Sequence, residues 1–181
     1  RPSSGGSTAV PGEVPWSIVP VSKKHERDSF DCGVAELDEY LRRYARQSEE
    51  QGFGRTHVAV HPGENRVLGY FMLRTGEFDV SLLPEDVRRR FPRYAVPVVH
   101  LARLAVDRTV QGQGLGEELL VTALRTALEI SRQVGAFAVE VLAISESAKG
   151  FYLRYGFKEL VDDPLHLYLR MSLIESLLLD R

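Results

Sequence analysis

The chain has 181 residues, enough for one domain with a sizeable core, and its 44% apolar and 27% charged residues are the balance of a soluble globular protein. A net charge of -2 excludes a protein that lives by wrapping long nucleic acid, so any such contact is local. The single cysteine, Cys32, excludes an intrachain disulfide and a cysteine-rich metal site and fits a reducing, cytoplasmic compartment, and no apolar run nears the roughly 18 residues of a membrane span.

Residues 1–15, rich in Gly, Ser and Pro, read as a flexible lead-in without the apolar run of a signal peptide, and 16–181 read as one domain. WSIVPV (16–21) reads as a short strand. Over 34–50, Val34, Leu37, Leu41, Tyr44 and Ala45 recur at helical spacing, with Asp31 or Gly33 as the cap. RTHVAVH (55–61) and the run 66–80 read as strands; the four-residue turn PGEN between them makes them antiparallel. In LPEDVRRRF (83–91), Pro84 and the acids after it favour a helical turn. VPVVHLARLAVD (96–107) is nearly continuously apolar, as a central strand covered on both faces would be. Leu120, Ala123, Leu124, Ala127 and Leu128 form a helical stripe, with Glu117 and Glu118 in the first turn, Arg132 in the last and Gly135 as the stop. AFAVEVLAI (136–144) reads as a buried strand, ESAKGFYLRYG (146–156) as a short helix and HLYLRMSL (166–173) as a closing strand. The apolar tail SLIESLLL (172–179) is a candidate surface for a homodimer or another partner. The order implies a mixed sheet with helices on its faces.

The stretch QGQGLG (111–116) joins a central strand to the best-defined helix. A helix N-terminus offers unpaired N–H groups and a partial positive charge, so glycines ahead of it suit an anion. A P-loop would continue Gly-Lys-Ser/Thr, but Glu117 follows Gly116; the dinucleotide fingerprint would place its third glycine three residues after Gly114, not two. Gln111, Gly114 and Gly116 instead fit Gln-x-x-Gly-x-Gly, and one helix and one strand later SAKGFYLRYGF (147–157) places Ala148, Phe151, Tyr152, Gly156 and Phe157 in a second pattern. Together these resemble the pyrophosphate loop and the Ala…Phe-Tyr-x-x-x-Gly-Phe segment of the GNAT N-acetyltransferases. FDCGVAELDEYLRRYA (30–45), GRTHVAV, the run 92–120 and DDPLHLYLRM make the likeness closer to the toxins of bacterial GNAT toxin–antitoxin pairs, over roughly 16–172.

The resemblance implies a mixed, mostly antiparallel sheet splayed at its central strands, with helices on both faces. It implies transfer of acetyl from acetyl-coenzyme A to a primary amine, foremost the α-amine of aminoacyl-tRNA, and restraint by a ribbon-helix-helix antitoxin. A small-molecule or protein amine as acceptor, and a non-catalytic module binding coenzyme A, are the alternatives. The donor pyrophosphate is expected on the N–H groups of Gln111, Gly112, Gln113, Gly114, Leu115 and Gly116, a Cβ at Gly114 or Gly116 clashing or demanding an unfavourable angle. The pantetheine arm is expected along Leu104, Ala105 and Val106, where an N–H could steady the oxyanion. Ser145 stands where many members carry Asn or Asp near that arm. Tyr152 occupies the general-acid position; Tyr155 reads as packing.

No carboxylate base is evident and no metal is implied. An α-amine titrates near 7.7–8.0 against ~10.4 for lysine, so a weak base or an ordered water suffices at neutral pH. His100 is the best local candidate, with a satisfied core histidine as the other reading; His57 and His166 read as structural and Cys32 as a small buried residue. Arg88, Arg89, Arg90 and Arg93, and separately Arg42, Arg43 and Arg46, are either solvated helix faces or phosphate contacts to the acceptor RNA.

Overall fold

In a computed structural model, which describes residues 15–180, seven strands form one sheet in the order β1-β2-β3-β4-β5-β7-β6. Apart from Pro15, the lead-in lies outside the described residues. Strand β1 (Ser17–Pro20) is followed by α1 (Ala35–Glu39), a π-helical turn (Tyr40–Tyr44) and α2 (Ala45–Glu50), then by β2 (Arg55–Val60) and β3 (Gly69–Asp79). A 3-10 turn (Val80–Leu82) and α3 (Glu85–Arg88) lead to β4 (Ala95–Val106), a second 3-10 turn (Arg108–Val110) and the long α4 (Leu115–Val134). The chain ends with β5 (Ala138–Leu142), α5 (Glu146–Leu153), β6 (Lys158–Glu159), β7 (His166–Arg170) and α6 (Met171–Leu179). Every pairing is antiparallel except β4 with β5.

Helices cover both faces. The α4 stripe, with Leu119, Leu120, Ala123, Leu124 and Ala127 buried, packs with α5 and α6 on Phe71, Leu101, Val139 and Leu169. On the other face Phe30, Leu37, Tyr40 and Leu41 pack on Val58, Val67, Tyr70 and Met72. Such burial is the main stabilising term, at roughly 1.5–3 kcal/mol per large apolar side chain.

Three expectations are corrected here. The first helix is interrupted: Ala45 donates to the carbonyl of Tyr40, an i→i+5 bond whose wider turn rotates Tyr44 out to 48% exposure while Ala45 stays buried. Its N-cap position is Val34, not Asp31 or Gly33; Asp31 accepts from Gly33 N–H, and Asp38 from Cys32 N–H, closing the loop ahead of it. The closing strand stops at Arg170, because Met171 donates to Phe137 and turns at once into α6. Part of the apolar tail is therefore spent within the chain, Ile174 being buried in the core with Leu177 and Leu178 packed against it, while Leu173 and Leu179 stay exposed.

What positions the site is the end of one pairing. β4 and β5 share only the rungs Val98–Ala138, Val99–Val139 and His100–Glu140, after which both strands continue apart. β4 is thus not covered along its length: His100, Ala102, Arg103 and Leu104 are half-buried at an open edge.

Candidate functional site

The gap between β4 and β5 is a cavity of about 290 Å³, bounded by Leu101, Arg103, Leu104, Val141, Ser145 and Tyr152 among others. Along β4 the backbone polar groups alternate between its two edges. Asp107 N–H donates to Leu68, on the β3 side, so Ala105, paired with Tyr70, also faces β3. Leu104 and Val106 face the gap. Of the three strand residues expected along the donor, Ala105 is engaged within the sheet.

The glycine loop follows directly. Gly112 and Gly114 have φ of +77° and +91°, the left-handed region where a Cβ is strained, so these two positions require glycine whatever binds beside them. Gly116 differs: a Cβ there would meet only Val106 at 3.8 Å and Phe151 at 4.0 Å, ordinary contacts, so the expected clash does not come from the protein itself. Leu115 buries its side chain and Gln113 lies exposed, so Leu115 can offer only its backbone. The Gln111 side chain does not face outward: its amide donates to the carbonyls of Val106 and Cys32.

That second bond ties the loop to the front of the chain. Asp107, almost fully buried, accepts from Thr109 N–H at 2.9 Å, Thr109 O–H at 2.6 Å and Asp31 N–H at 3.0 Å, while Arg108 N–H donates back to Asp31. Burial alone would raise the Asp107 carboxyl; the bonds from Thr109 and Asp31 and the charge of Arg66 at 3.7 Å outweigh it and hold it below its ordinary value. The segment Phe30 to Gly33 is thus a clamp on the strand-to-loop junction. Cys32 within it is only half-buried, and desolvation followed by Asp38 pushes its thiol up to about 11, which keeps it protonated and unreactive.

Across the gap, Ser145 caps α5, its Oγ accepting from Ala148 N–H at 3.1 Å. The hydroxyl proton stays available to the cavity it lines. Tyr152 stands about two turns further on, its ring edge-on to Phe151 and Phe157, and burial pushes its phenol well above the ordinary range. It is therefore a protonated donor at any physiological pH. Tyr155 packs against Phe151, as expected.

A second cavity of about 200 Å³ adjoins the first and shares Leu37, Ala102, Arg103 and Ile144 with it. Arg74, Glu36 and His100 complete much of its wall. Arg74 and Arg103 carry no weight in the sequence reading; the signal is clearest at Arg103, a half-buried cation between apolar neighbours on a central strand, while Arg74 is exposed just beyond the apolar run of β3. His100 is half-buried here, with Nδ1 turned to Glu140. His57 stacks on Phe71 at 4.8 Å, away from this wall.

The arginines separate into two groups. Arg88, Arg89 and Arg93 line a surface cavity with Phe91 and Asp79, near the start of β4, whereas Arg90 does not. Arg42 bonds to the Phe30 carbonyl, Arg43 to Glu39 and Arg46 to Glu50, so that second cluster is occupied within the chain. Among the described residues no His, Cys, Asp and Glu group could hold a metal, and no helix is long and apolar enough to cross a membrane.

An acetyltransferase (GNAT) domain model matches residues 54–159. The chain is 38% identical over 160 residues to the tRNA-acetylating toxin of Mycobacterium tuberculosis, covering 88% of this chain and 95% of that protein. A crystal structure of a Tyr-to-Phe mutant of KacT superposes with a TM-score of 0.86 at 32% identity, covering 91% of this chain and 99% of that one. AtaT complexed with acetyl-methionyl-tRNAfMet gives 0.84 at 29%, covering 90% and 99%. The Tyr-to-Phe AtaT toxin bound to acetyl-CoA and the C-terminus of the antitoxin AtaR gives 0.78 at 27%, covering 91% and 99%. With its splayed sheet, glycine loop and buried tyrosine matched over nearly its whole length, the chain belongs to the GNAT acetyltransferase family, alongside the tRNA-acetylating toxins.

Proposed function

We propose that the protein moves acetyl from acetyl-CoA to the α-amine of an aminoacyl-tRNA in the cytoplasm, and is restrained by an antitoxin that binds it, as AtaR binds AtaT. The observation that carries this is a pair of adjoining cavities with shared walls: one at the β4–β5 gap, where a thioester arm would lie, and one beside it walled by Arg74 and Arg103. The donor fits the residues present. Its diphosphate would take the N–H groups of 112–116 at the positive end of α4, where Gly116 leaves space that no protein atom needs. Its amide-bearing arm would pair with the outward backbone of Leu104 and Val106 and reach the Ser145 hydroxyl.

Tyr152 then faces the thioester sulfur. As the acceptor nitrogen forms its bond to the carbonyl carbon, an outward β4 N–H steadies the oxyanion. When the C–S bond breaks, the phenol supplies the proton that the thiolate needs. For the acceptor, Arg88, Arg89 and Arg93 lie just before the start of β4, which is about five residues of strand, roughly 17 Å, from His100. That separation suits phosphates of an acceptor stem whose 3′ end enters the gap, and the net charge of -2 keeps the footprint small.

The test is direct: purified protein, acetyl-CoA and charged tRNAs, followed by mass spectrometry of the esterified amino acids. N-acetylated aminoacyl esters are expected, with growth arrest on induced expression. Acetylation of simple amines alone, with charged tRNA untouched, would sink this reading in favour of a small-molecule acceptor.

A further inference from the structure

The central strands β4 and β5 carry three charged or titratable residues that point away from any surface need: His100, Arg103 and Glu140. His100 and Glu140 are directly opposite in the parallel register, on the last rung before the strands part. On the next strand Tyr168 is opposite Glu140 and His166 opposite Leu142, which puts His166 on the same face as Glu140. One carboxylate oxygen, Glu140 Oε1, lies 3.3 Å from His100 Nδ1 and 3.3 Å from His166 Nε2, and His166 Nδ1 lies 2.9 Å from Asp162.

The first three side chains keep only 16%, 14% and 13% of their surface, while Asp162 keeps 38%, so the chain of groups runs from the gap to solvent. An ionised carboxylate this buried is costly unless it is paired, and Glu140 Oε2 has no partner in the protein. Two imidazoles flank its other oxygen. The His100 contact is close but not aligned as a full hydrogen bond, since Nδ1 finds no acceptor of good geometry. A purely structural rung would be served better by a pair of apolar residues, as at Val99–Val139 next to it.

We propose that His100 takes the proton from the acceptor amine, with Glu140 orienting its ring and stabilising the imidazolium, and His166 and Asp162 passing the charge toward solvent. This rests on the reading that the amine enters the cavity beside the gap. His100 lines that cavity, and Nε2 is the ring nitrogen not turned to Glu140. The protonated acceptor gives one proton to Nε2, and its freed lone pair forms the C–N bond at the thioester carbonyl. Collapse breaks the C–S bond; Tyr152 protonates sulfur and is made whole by the proton that nitrogen sheds on becoming an amide. The net products are the amide, the thiol and one imidazolium. Burial would raise Glu140, but the close contact and charge of His100 and the charge of His166 hold it below its ordinary value, as an anion must be to do this. The charged groups that bear on His100 are Glu140 and His166 on that side, Arg74 opposite it on β3, and Arg103 and Glu36 across the cavity.

The experiment is the pH profile of kcat/KM on an aminoacyl-tRNA for wild type, His100→Gln, Glu140→Gln and His166→Gln, beside acetyl-CoA Kd and melting temperature. His100→Gln is expected to lose ~10²-fold near pH 6.5 and to recover most of it by pH 9, where the α-amine is neutral unaided. Glu140→Gln is expected to lose ~10-fold with the inflection shifted, and donor Kd is expected to hold in all three. A loss of the same size at every pH, or one that tracks donor affinity, would overturn the proposal. So would His100→Gln within threefold of wild type throughout. Wild type inactive on charged tRNA but active on an amino-acid ester would sink the RNA acceptor alone, and the same profiles would then be read on the ester.

Discussion

The two walls of the β4–β5 gap are built from different materials. On the donor side the chain presents main chain: the outward edge of β4, two left-handed glycines and the first N–H groups of α4. On the acceptor side it presents long side chains from separate elements: Glu36 from α1, Arg74 from β3, His100 and Arg103 from β4. Main chain held in a sheet and at a helix start is fixed by the fold, so the donor side cannot be retuned without strain. The side-chain wall can be changed residue by residue while the fold stands. An enzyme that always uses one donor but must choose among acceptors is served by that division.

The division is tested first where the two walls meet. Tyr152→Phe keeps the ring between Phe151 and Phe157 and removes only the proton donor, so kcat should fall by about 10²–10³-fold with acetyl-CoA Kd unchanged. Full activity in that variant would mean that sulfur leaves without this proton. Next in size is the clamp beneath the loop. Asp107→Ala orphans the Thr109 and Asp31 donors and should cost about 2–3 kcal/mol, read as a drop in melting temperature of roughly 5–10 °C. The Asp107 carboxyl is held below its unfolded value, so its stabilisation is present above about pH 3.9 and is lost as pH falls through the folded value. The melting difference between wild type and Asp107→Ala should therefore narrow between pH 5 and pH 3; a difference that widens there would contradict the assignment.

The glycines sharpen the contrast further, because two positions in one loop should fail for different reasons. Gly114→Ala forces a side chain onto a φ of +91° and should cost about 1–2 kcal/mol, seen in both melting temperature and acetyl-CoA Kd. Gly116→Ala meets only ordinary contacts and lies in the first turn of a helix, where alanine is favoured by about 0.5–1 kcal/mol. It should melt no lower than wild type yet bind acetyl-CoA about tenfold more weakly. If Gly116→Ala binds normally, the diphosphate does not approach there.

The same division explains what the sequence could tell. Donor-side features are local: 111–116 and 147–157 each fit within a dozen residues, and the periodicity of Leu120, Ala123, Leu124 and Ala127 announces α4 without help. The acceptor wall draws on residues 34 to 144, which only the fold brings together, so Arg74 and Arg103 carry no sequence motif, and neither does Glu140, which the register sets opposite His100. The π-turn at Tyr40–Tyr44 is invisible for a related reason, since one widened turn does not change which residues are apolar, only which way they face. At Arg170 the apolar run LYLRMSLIESLLL suits strand and helix alike, and the Met171–Phe137 bond decides. The two-residue β6 is too short for any period to mark.

The smallest effect expected concerns the arginines at the far end of β4. Arg89 is already paired with Glu85 at 2.6 Å, both being largely exposed, so its release to a phosphate exchanges one weak pair for another. Replacing Arg88, Arg89 and Arg93 together by Ala should then raise KM for charged tRNA only about three- to tenfold at moderate salt, with kcat and the acetyl-CoA Kd unmoved. The diagnostic reading is the salt slope: if all three touch phosphate, the slope of log(kcat/KM) against log salt should shallow by about two to three, at roughly 0.7–0.9 per contact. Arg42→Ala and Arg43→Ala serve as the comparison, because their guanidinium groups are engaged with Phe30 and Glu39 and should leave that slope alone. Were the two sets to change the slope equally, the RNA would be crossing the α1 side, and the acceptor path drawn along β4 would be wrong.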